Sequence, residues 1–317
     1  MPSTPDNPAP GGHVPVMLDR VVEVLGPRPG EVFADCTAGM GGHAAAVAQH
    51  LGPEGTIVLN DCDPTHLERA ALRVRSVCGS SAPRIEVVRG NFADLPRAIE
   101  DRGLRADMVL ADLGFSSLQV EDPARGLSFM RDGPLDMRLD PTLATTAADL
   151  VNSLPEEELA QIIREYGEEP GARRIAGKLA RERSLMPILT TGRLAEVVRS
   201  AVGPRSGGID PATRTFQALR IAVNDELGVL SALLDAVMRG AAGTGSGACW
   251  LAAGARVAII SFHSLEDRAV KHAFAAIVAR GLGVDLTGGV IRPSEDQVRA
   301  NPRARSAKLR AVALTRG

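Results

Sequence analysis

ADCTAGMGGH, residues 34–43, decides the fold: a short apolar run ends in an acid, glycines follow, and an alanine-rich helical stretch begins. Val32–Asp35 has strand character, and the helical pattern runs on to Leu51. Gly39, Gly41 and Gly42 let the backbone turn sharply and approach a ligand closely. Outward from this junction the rhythm repeats. Thr56–Leu59 is a second strand ending at Asn60–Asp61, and Pro64 to about Val77 is helical. Ile85–Arg89 and Met108–Asp112 are further strands. Strands alternating with helices predict an α/β fold, a parallel sheet covered on both faces.

Past Met108–Asp112 the rhythm stops. Residues 135–234 read as helices joined by polar loops. Pro155–Tyr166 opens with proline and glutamates, a good helix start, and Leu159, Ile162, Ile163 and Tyr166 recur at helical spacing. Gly171–Arg183, Leu194–Val202 and Gln217–Met238 are also predicted helical. Gly240–Ala248 reads as a glycine-rich loop. Strand character returns at Arg256–Ser261, a helix follows from Leu265, and Leu309–Leu314 resembles a last strand. The expected layout is a sheet domain over 13–134 and 235–317, a helical insert over 135–234, and a disordered leader over 1–12.

Composition sets limits. The chain has 317 residues, 44% of them apolar but only 3% aromatic, so its core must be aliphatic. A net charge of −2 gives no chain-wide basic field, and any nucleic-acid contact must come from local patches. Cys36, Cys62, Cys78 and Cys249 are scattered without a metal-ligand spacing, as expected for free thiols in a reducing cytosol. The leader MPSTPDNPAPGG lacks the basic and apolar regions of a signal peptide, and no apolar run approaches the ~20 residues of a membrane span. A cytoplasmic protein that needs neither membrane nor metal is expected; its oligomeric state is not legible.

The acids and aromatics at the strand ends suggest a cofactor. Asp61 stands where an acid accepts hydrogen bonds from the ribose hydroxyls of an adenosine cofactor. Asp63 starts the next helix. Phe92 could stack on adenine, with Asp94 near its amine. NAD and S-adenosylmethionine both fit these features. Discrimination comes from ADLGFSSLQ after the fourth strand. A carboxylate there suits a positive sulfonium in a cleft of low dielectric, so Asp112 is expected beside the cofactor and Gln119 over it. Ser116 and Ser117 lie at the same sheet edge, so with Asp112 they are candidates to aim hydrogen-bond acceptors at the group that receives the methyl. They do not say which atom is modified.

Basic residues flank aromatics twice. Arg125, Arg131 and Arg138 surround Phe129 in RGLSFMRDGPLDMRLD, and Arg214 and Arg220 flank Phe216 in PATRTFQALR. Such groups suit a phosphate clamp with a base-stacking platform; ordinary ion pairs on a surface loop are the alternative. Arg303 and Arg305, with Lys308 and Arg310, form an acid-free run that could meet RNA phosphates. His263 in SFHSLEDR is a candidate for phosphate contact or a structural hydrogen bond. A serine hydrolase is excluded, because no glycine elbow surrounds either serine.

Taken together these motifs resemble one family, the bacterial 16S ribosomal RNA cytosine-N4 methyltransferases, the MraW or RsmH family. The resemblance runs from HVPVML (His13–Leu18) to NPRARSAKLR and includes TAGMGGH, DCDP, DLGFSS, IIREYGEE and ISFHSLEDR. RGLSFMRDGPLDMRLD and TRTFQALRIAVNDEL are its most specific parts. It implies a Rossmann-like class I methyltransferase sheet of seven strands with an inserted helical domain for RNA recognition. It implies S-adenosylmethionine as cofactor, contacts at Gly41, Gly42, His43, Asp61, Phe92, Asp112 and Gln119, and 16S rRNA of the small subunit as partner. The reaction implied is methylation of the exocyclic N4 amine of a decoding-centre cytosine. Alternatives are another acceptor, DNA or protein, or a non-catalytic assembly factor. Phe115 and Leu118 depart from the family, which usually has a smaller aliphatic residue and proline there.

Overall fold

The computed structural model describes residues 15–115, 117–203, 210–243 and 249–315. The leader expected over 1–12 lies outside them. By its contacts the chain divides into a sheet unit, Met1–Gly114 with Ser231–Gly317, and a helical unit, Phe115–Leu230.

In the sheet unit the elements alternate. They are α1 (Leu18–Leu25), β1 (Val32–Asp35), α2 (Gly42–Leu51), β2 (Thr56–Asp61), α3 (Pro64–Cys78), β3 (Arg84–Arg89), α4 (Leu95–Glu100) and β4 (Ala106–Asp112). The helical unit carries α5 (Ser117–Glu121), α6 (Ala147–Ser153), α7 (Glu156–Gly167), α8 (Ala172–Leu185), α9 (Thr191–Val202) and α10 (Ala212–Asn224). Helix α11 (Glu226–Ala242) spans the division. The sheet unit resumes with β5 (Leu251–Ser261), α12 (Ser264–Ala279), β6 (Gly283–Asp285), α13 (Glu295–Ala300) and β7 (Lys308–Leu314).

The sheet runs β3-β2-β1-β4-β5-β7-β6. β1 pairs in parallel with both β2 and β4, and β4 with β5, while β7 is antiparallel to β5 and β6. The strand order therefore reverses between β1 and β4, the switch point where such sheets open a crevice at their strand tips. Phe33, Leu59, Leu110 and Ile260 are fully buried in the central strands. Each contributes roughly 1.5–3 kcal/mol by leaving water. They belong to an aliphatic core that includes Val47 and Leu51 of α2 and Leu67 and Val74 of α3.

The helical unit has its own core of Leu135, Met137, Ile163, Ile175, Leu179, Leu194, Val198, Phe216 and Leu219. Leu127 and Phe129 pack against it, so the unit starts at Phe115, not at the 135 read from helical periodicity. Three expected elements differ. β5 starts at Leu251, five residues before the Arg256 expected. The helix expected over 217–238 breaks at Asp225, whose φ is 48°, a left-handed conformation that Asp tolerates better than most residues. The Asn224 amide caps the break by donating to the Met137 and Arg220 carbonyls and accepting from Leu139 N–H. The loop expected from Gly240 starts later, because α11 continues to Ala242; residues 244–248 lie outside the described residues. All four cysteines are free thiols. No helix among the described residues is long and apolar enough to cross a membrane.

Candidate active site

The acids fall where the strand tips meet. Asp35 ends β1, Asp61 ends β2 and Asp112 ends β4; Glu266 lies in the first turn of α12, just beyond β5. Thr37 ties the first and third together: its N–H donates to Asp35 Oδ1 at 3.1 Å, and its hydroxyl oxygen accepts from Asp112 N–H at 2.7 Å.

Burial and mutual repulsion shape these carboxyls. Burial, partly offset by the Thr37 N–H and reinforced by the Asp61 charge, pushes Asp35 up to about 7. Asp112 is raised well above the ordinary carboxylate range, first by burial and then by the charges of Asp35 and Glu266. Its Oδ1 is buried with no hydrogen-bond partner among the described residues. A buried acceptor left unmatched costs about 1–3 kcal/mol, a cost that a bound donor or cation removes. The convergence of acids, with no arginine or lysine paired to Asp35 or Asp112 among the described residues, is the ligand set of a cation site. It fits a sulfonium and would repel the pyrophosphate of a dinucleotide.

The glycine loop is built around packing as much as around a ligand. A Cβ on Gly41 would lie 2.6 Å from Ala70 Cα in α3, and one on Gly42 2.2 Å from Pro15 Cγ. Gly41 also has φ 71°, which favours glycine. Asp61 fastens the loop: Oδ2 accepts from Gly39 N–H at 2.9 Å and lies 3.2 Å from His66 Nδ1, while Oδ1 accepts from Asp63 N–H at 2.9 Å. A carboxylate has about four lone-pair sites, so acceptor capacity remains for a hydroxyl. His43 opens α2, buried; its Nε2 lies 3.0 Å from the Val16 carbonyl and its Nδ1 3.7 Å from Asp112 Oδ2. Phe92 is half-buried in the turn after β3, and Asp94 is exposed.

These contacts link Gly41, Gly42, His43, Asp61 and Asp112 in one unit. Gln119 is buried on α5, in the helical unit. Ser116 and the side chain of Ser117 lie outside the described residues.

The basic residues divide sharply. Arg138 is spent on its own loop: Nε and Nη2 donate to Asp136 at 2.8 and 2.7 Å, and Nη1 to the Leu143 carbonyl at 2.6 Å. Arg220 donates two bonds to Glu226, at 2.6 and 2.7 Å, with its guanidinium 4.5 Å over the Phe115 ring. Arg125 donates to the Leu139 carbonyl. Phe129 meets Phe216 edge to face at 4.8 Å and carries the Arg199 guanidinium over its ring, so it packs into the helical core. Arg131 and Arg214 are exposed, each reaching one carbonyl, of Glu121 and Glu168.

His263 is the N-cap of α12. Its Nδ1 accepts from Glu266 N–H at 3.4 Å, and Glu266 Oε2 accepts from Phe262 N–H at 2.8 Å and His263 N–H at 3.4 Å. His263 thus makes a structural hydrogen bond, one of the two roles the sequence left open. Arg303 and Arg305 are exposed beside β7, while Lys308 and Arg310 both pair with Asp267, at 2.9 and 2.7 Å.

Asp35, Thr37 and Glu266 were not singled out from the sequence. A signal existed for two of them: Asp35 ends the strand that feeds the glycines, and His263 and Glu266 have the spacing of a reciprocal helix cap.

Residues 11–315 match the MraW methylase family. The ribosomal RNA small subunit methyltransferase H of Heliobacterium modesticaldum is 42% identical over 320 residues, covering 95% of this chain and 97% of that protein. The protein of the same name from Acidobacterium capsulatum is 45% identical over 305 residues, with 95% and 97% covered. That of Acidothermus cellulolyticus is 44% identical over 321 residues, with 95% and 93% covered.

Proposed function

We infer the reaction from this premise: the chain belongs to the MraW methylase family, and it is a methyltransferase that uses S-adenosylmethionine. We propose that its acceptor is the exocyclic N4 amine of a decoding-centre cytosine in 16S ribosomal RNA, methylated in the small subunit in the cytoplasm. The resemblance of the long motifs supports this acceptor, and the names of the relatives support ribosomal RNA of the small subunit as the substrate class.

The observation that carries the chemistry is Asp112 Oδ1, buried and unmatched at the switch point of the sheet. S-adenosylmethionine, when bound, supplies a methyl group activated by a positive sulfonium. Asp61 would hold the ribose hydroxyls and Phe92 the adenine, with the loop at Gly41, Gly42 and His43 beside them. Asp35 and Asp112 would supply the negative field that favours the cation.

A cytosine amine is a weak nucleophile, because its lone pair is conjugated with the ring. An acceptor aimed at its N–H favours the pyramidal nitrogen that attacks, and holding the nitrogen in line lowers the barrier further. The nitrogen gains one methyl and loses one proton, and Asp112 Oδ1 is the acceptor we assign to that proton. Ser116 and Ser117 follow β4 directly in the chain and complete the proposed acceptor side, with Gln119 closing on the cofactor. Arg125, Phe129, Arg131, Arg138, Arg214 and Arg220 belong to the proposed RNA-recognition unit, Arg131 and Arg214 as contacts and the others as its frame. Arg303, Arg305 and His263 are proposed on the RNA side of the sheet unit, His263 through the helix it caps.

Mass spectrometry of 16S RNA from a strain lacking this chain tests the reading. N4-methylcytidine should disappear, return with the wild-type chain, and stay absent with Asp112→Ala. Unchanged N4-methylcytidine in the deletion strain refutes it, and transfer to naked DNA but not to small subunits would support another acceptor.

A further inference from the structure

The helical unit contains a cavity of about 480 Å³ walled by α7, α8 and α9. Arg173, Arg174, Lys178 and Arg181 line it from α8, with Glu156 from α7 and Ser200 from α9. The spacing makes the cluster. Positions 174 and 178 lie four apart, as do 173, 177 and 181, so both rows share one helix face. Position 177 is glycine: a Cβ there would lie 2.9 Å from a Glu156 carboxylate oxygen, so the wall of α7 closes on bare α8 backbone.

The charges in this cavity are not neutralised from within. Lys178 reaches Glu182 at 2.9 Å, but Arg193 holds the other oxygen of that carboxylate at 2.6 Å. The side chains of Arg173, Arg174 and Arg181 are exposed and make no hydrogen bond or ion pair among the described residues. Glu156, the one acid in the lining, leaves the cavity strongly positive. Like charges four apart on a helix destabilise it, and a polyanion lifts that cost.

We propose that this cavity seats the phosphodiester backbone of ribosomal RNA, with the guanidinium groups of Arg173, Arg174 and Arg181 on its phosphates. The inference rests on the ribosomal RNA reading and adds to it a surface that none of the recognised motifs contains. From 173 to 181 the helix rises about 12 Å, room for more than one phosphate. Guanidinium forks match phosphate oxygens two at a time. With a chain-wide charge of −2, binding to RNA needs a concentrated local patch of this kind.

The test compares wild type with the triple variant Arg173→Gln, Arg174→Gln, Arg181→Gln, which keeps good helix formers on exposed positions. Binding to purified small subunits is measured over a salt series, alongside calorimetry with S-adenosylmethionine. The variant should bind subunits about tenfold more weakly, and its slope of log affinity against log salt should fall by about 2, roughly 0.7 for each phosphate no longer held. Cofactor affinity and the circular dichroism spectrum should not change, and the triple Lys variant should restore the slope. An unchanged slope and affinity overturn the proposal. So does loss of binding to polyglutamate with RNA binding intact, which would assign the cavity to an acidic protein. Should wild type bind subunits but leave 16S RNA unmethylated, the reaction reading falls while the salt series still decides this one.

Discussion

The acids of the sheet unit and the arginines of the motif region are opposite solutions to holding charge in a fold. Asp35, Asp112 and Glu266 converge at one sheet edge, where burial, and then the charges of Asp35 and Glu266, raise the pKa of Asp112. Arg138, Arg199 and Arg220 are each matched to an acid of their own, Asp136, Asp210 and Glu226. Matched pairs satisfy one another and fix the chain. Like charges gathered in one place are costly until something arrives, so convergence is the better mark of a ligand than the presence of charge. By that standard Arg138 and Arg220 belong with the scaffold, and the α8 cavity is the cationic counterpart of the carboxylate cluster.

The comparison breaks first at Asp112. Asp112→Ala should lower methyl transfer at least ~10²-fold while leaving the thermal midpoint unchanged or higher, since a strained buried acid is removed. Wild-type turnover would show that the convergence does no chemistry. Arg220→Ala should do the reverse. Its side chain is 12% exposed, and its loss strands Glu226 and uncovers Phe115, costing about 2–3 kcal/mol in denaturant unfolding. An unaltered midpoint would mean that the pair is not structural.

Smaller effects sharpen the contrast. Asp35 rises from 3.8 to about 7 in the folded chain, so the native state holds its proton longer than the unfolded state does. Its contribution to stability is full below pH 3.8, is lost as pH rises to about 7 and is level above that. Asp35→Asn should flatten this decline in thermal scans. Affinity for S-adenosylmethionine should rise up to about tenfold per pH unit below 7, because the ionised carboxyl attracts the sulfonium. S-adenosylhomocysteine, with a neutral sulfur, should show a shallower rise by calorimetry. Arg131→Ala and Arg214→Ala should weaken subunit binding a few-fold and leave cofactor affinity alone; equal losses in both would argue against an RNA role for these exposed cations.

Much of the sheet was legible because its strands are buried on both faces and read as apolar runs: Val32–Asp35 and Thr56–Leu59 appear almost as expected. β6 was not legible. Gly283–Asp285 is three residues long, too short for any periodicity, and exists because β7 offers an unpaired edge. The acids at the strand tips could be placed from sequence, since strand ends position them. The fate of the arginines could not. Arg220 reads as a cation beside Phe216, yet its partners Phe115 and Glu226 are set by how the helices pack. The same reason hid the cavity beside α8: the helix itself was expected over Gly171–Arg183, but its cations form no motif and become a site only when α7 and α9 wall them in.

The Val16 carbonyl can only accept, so its contact with His43 places a proton on Nε2 of the ring. The other nitrogen is then the one turned toward Asp112, and its electronic state follows whatever that carboxyl holds. Isotope-labelled imidazole at this position would act as an internal voltmeter. Its nitrogen-15 resonance should move when the methyl donor docks, giving an occupancy readout that needs no turnover and no RNA.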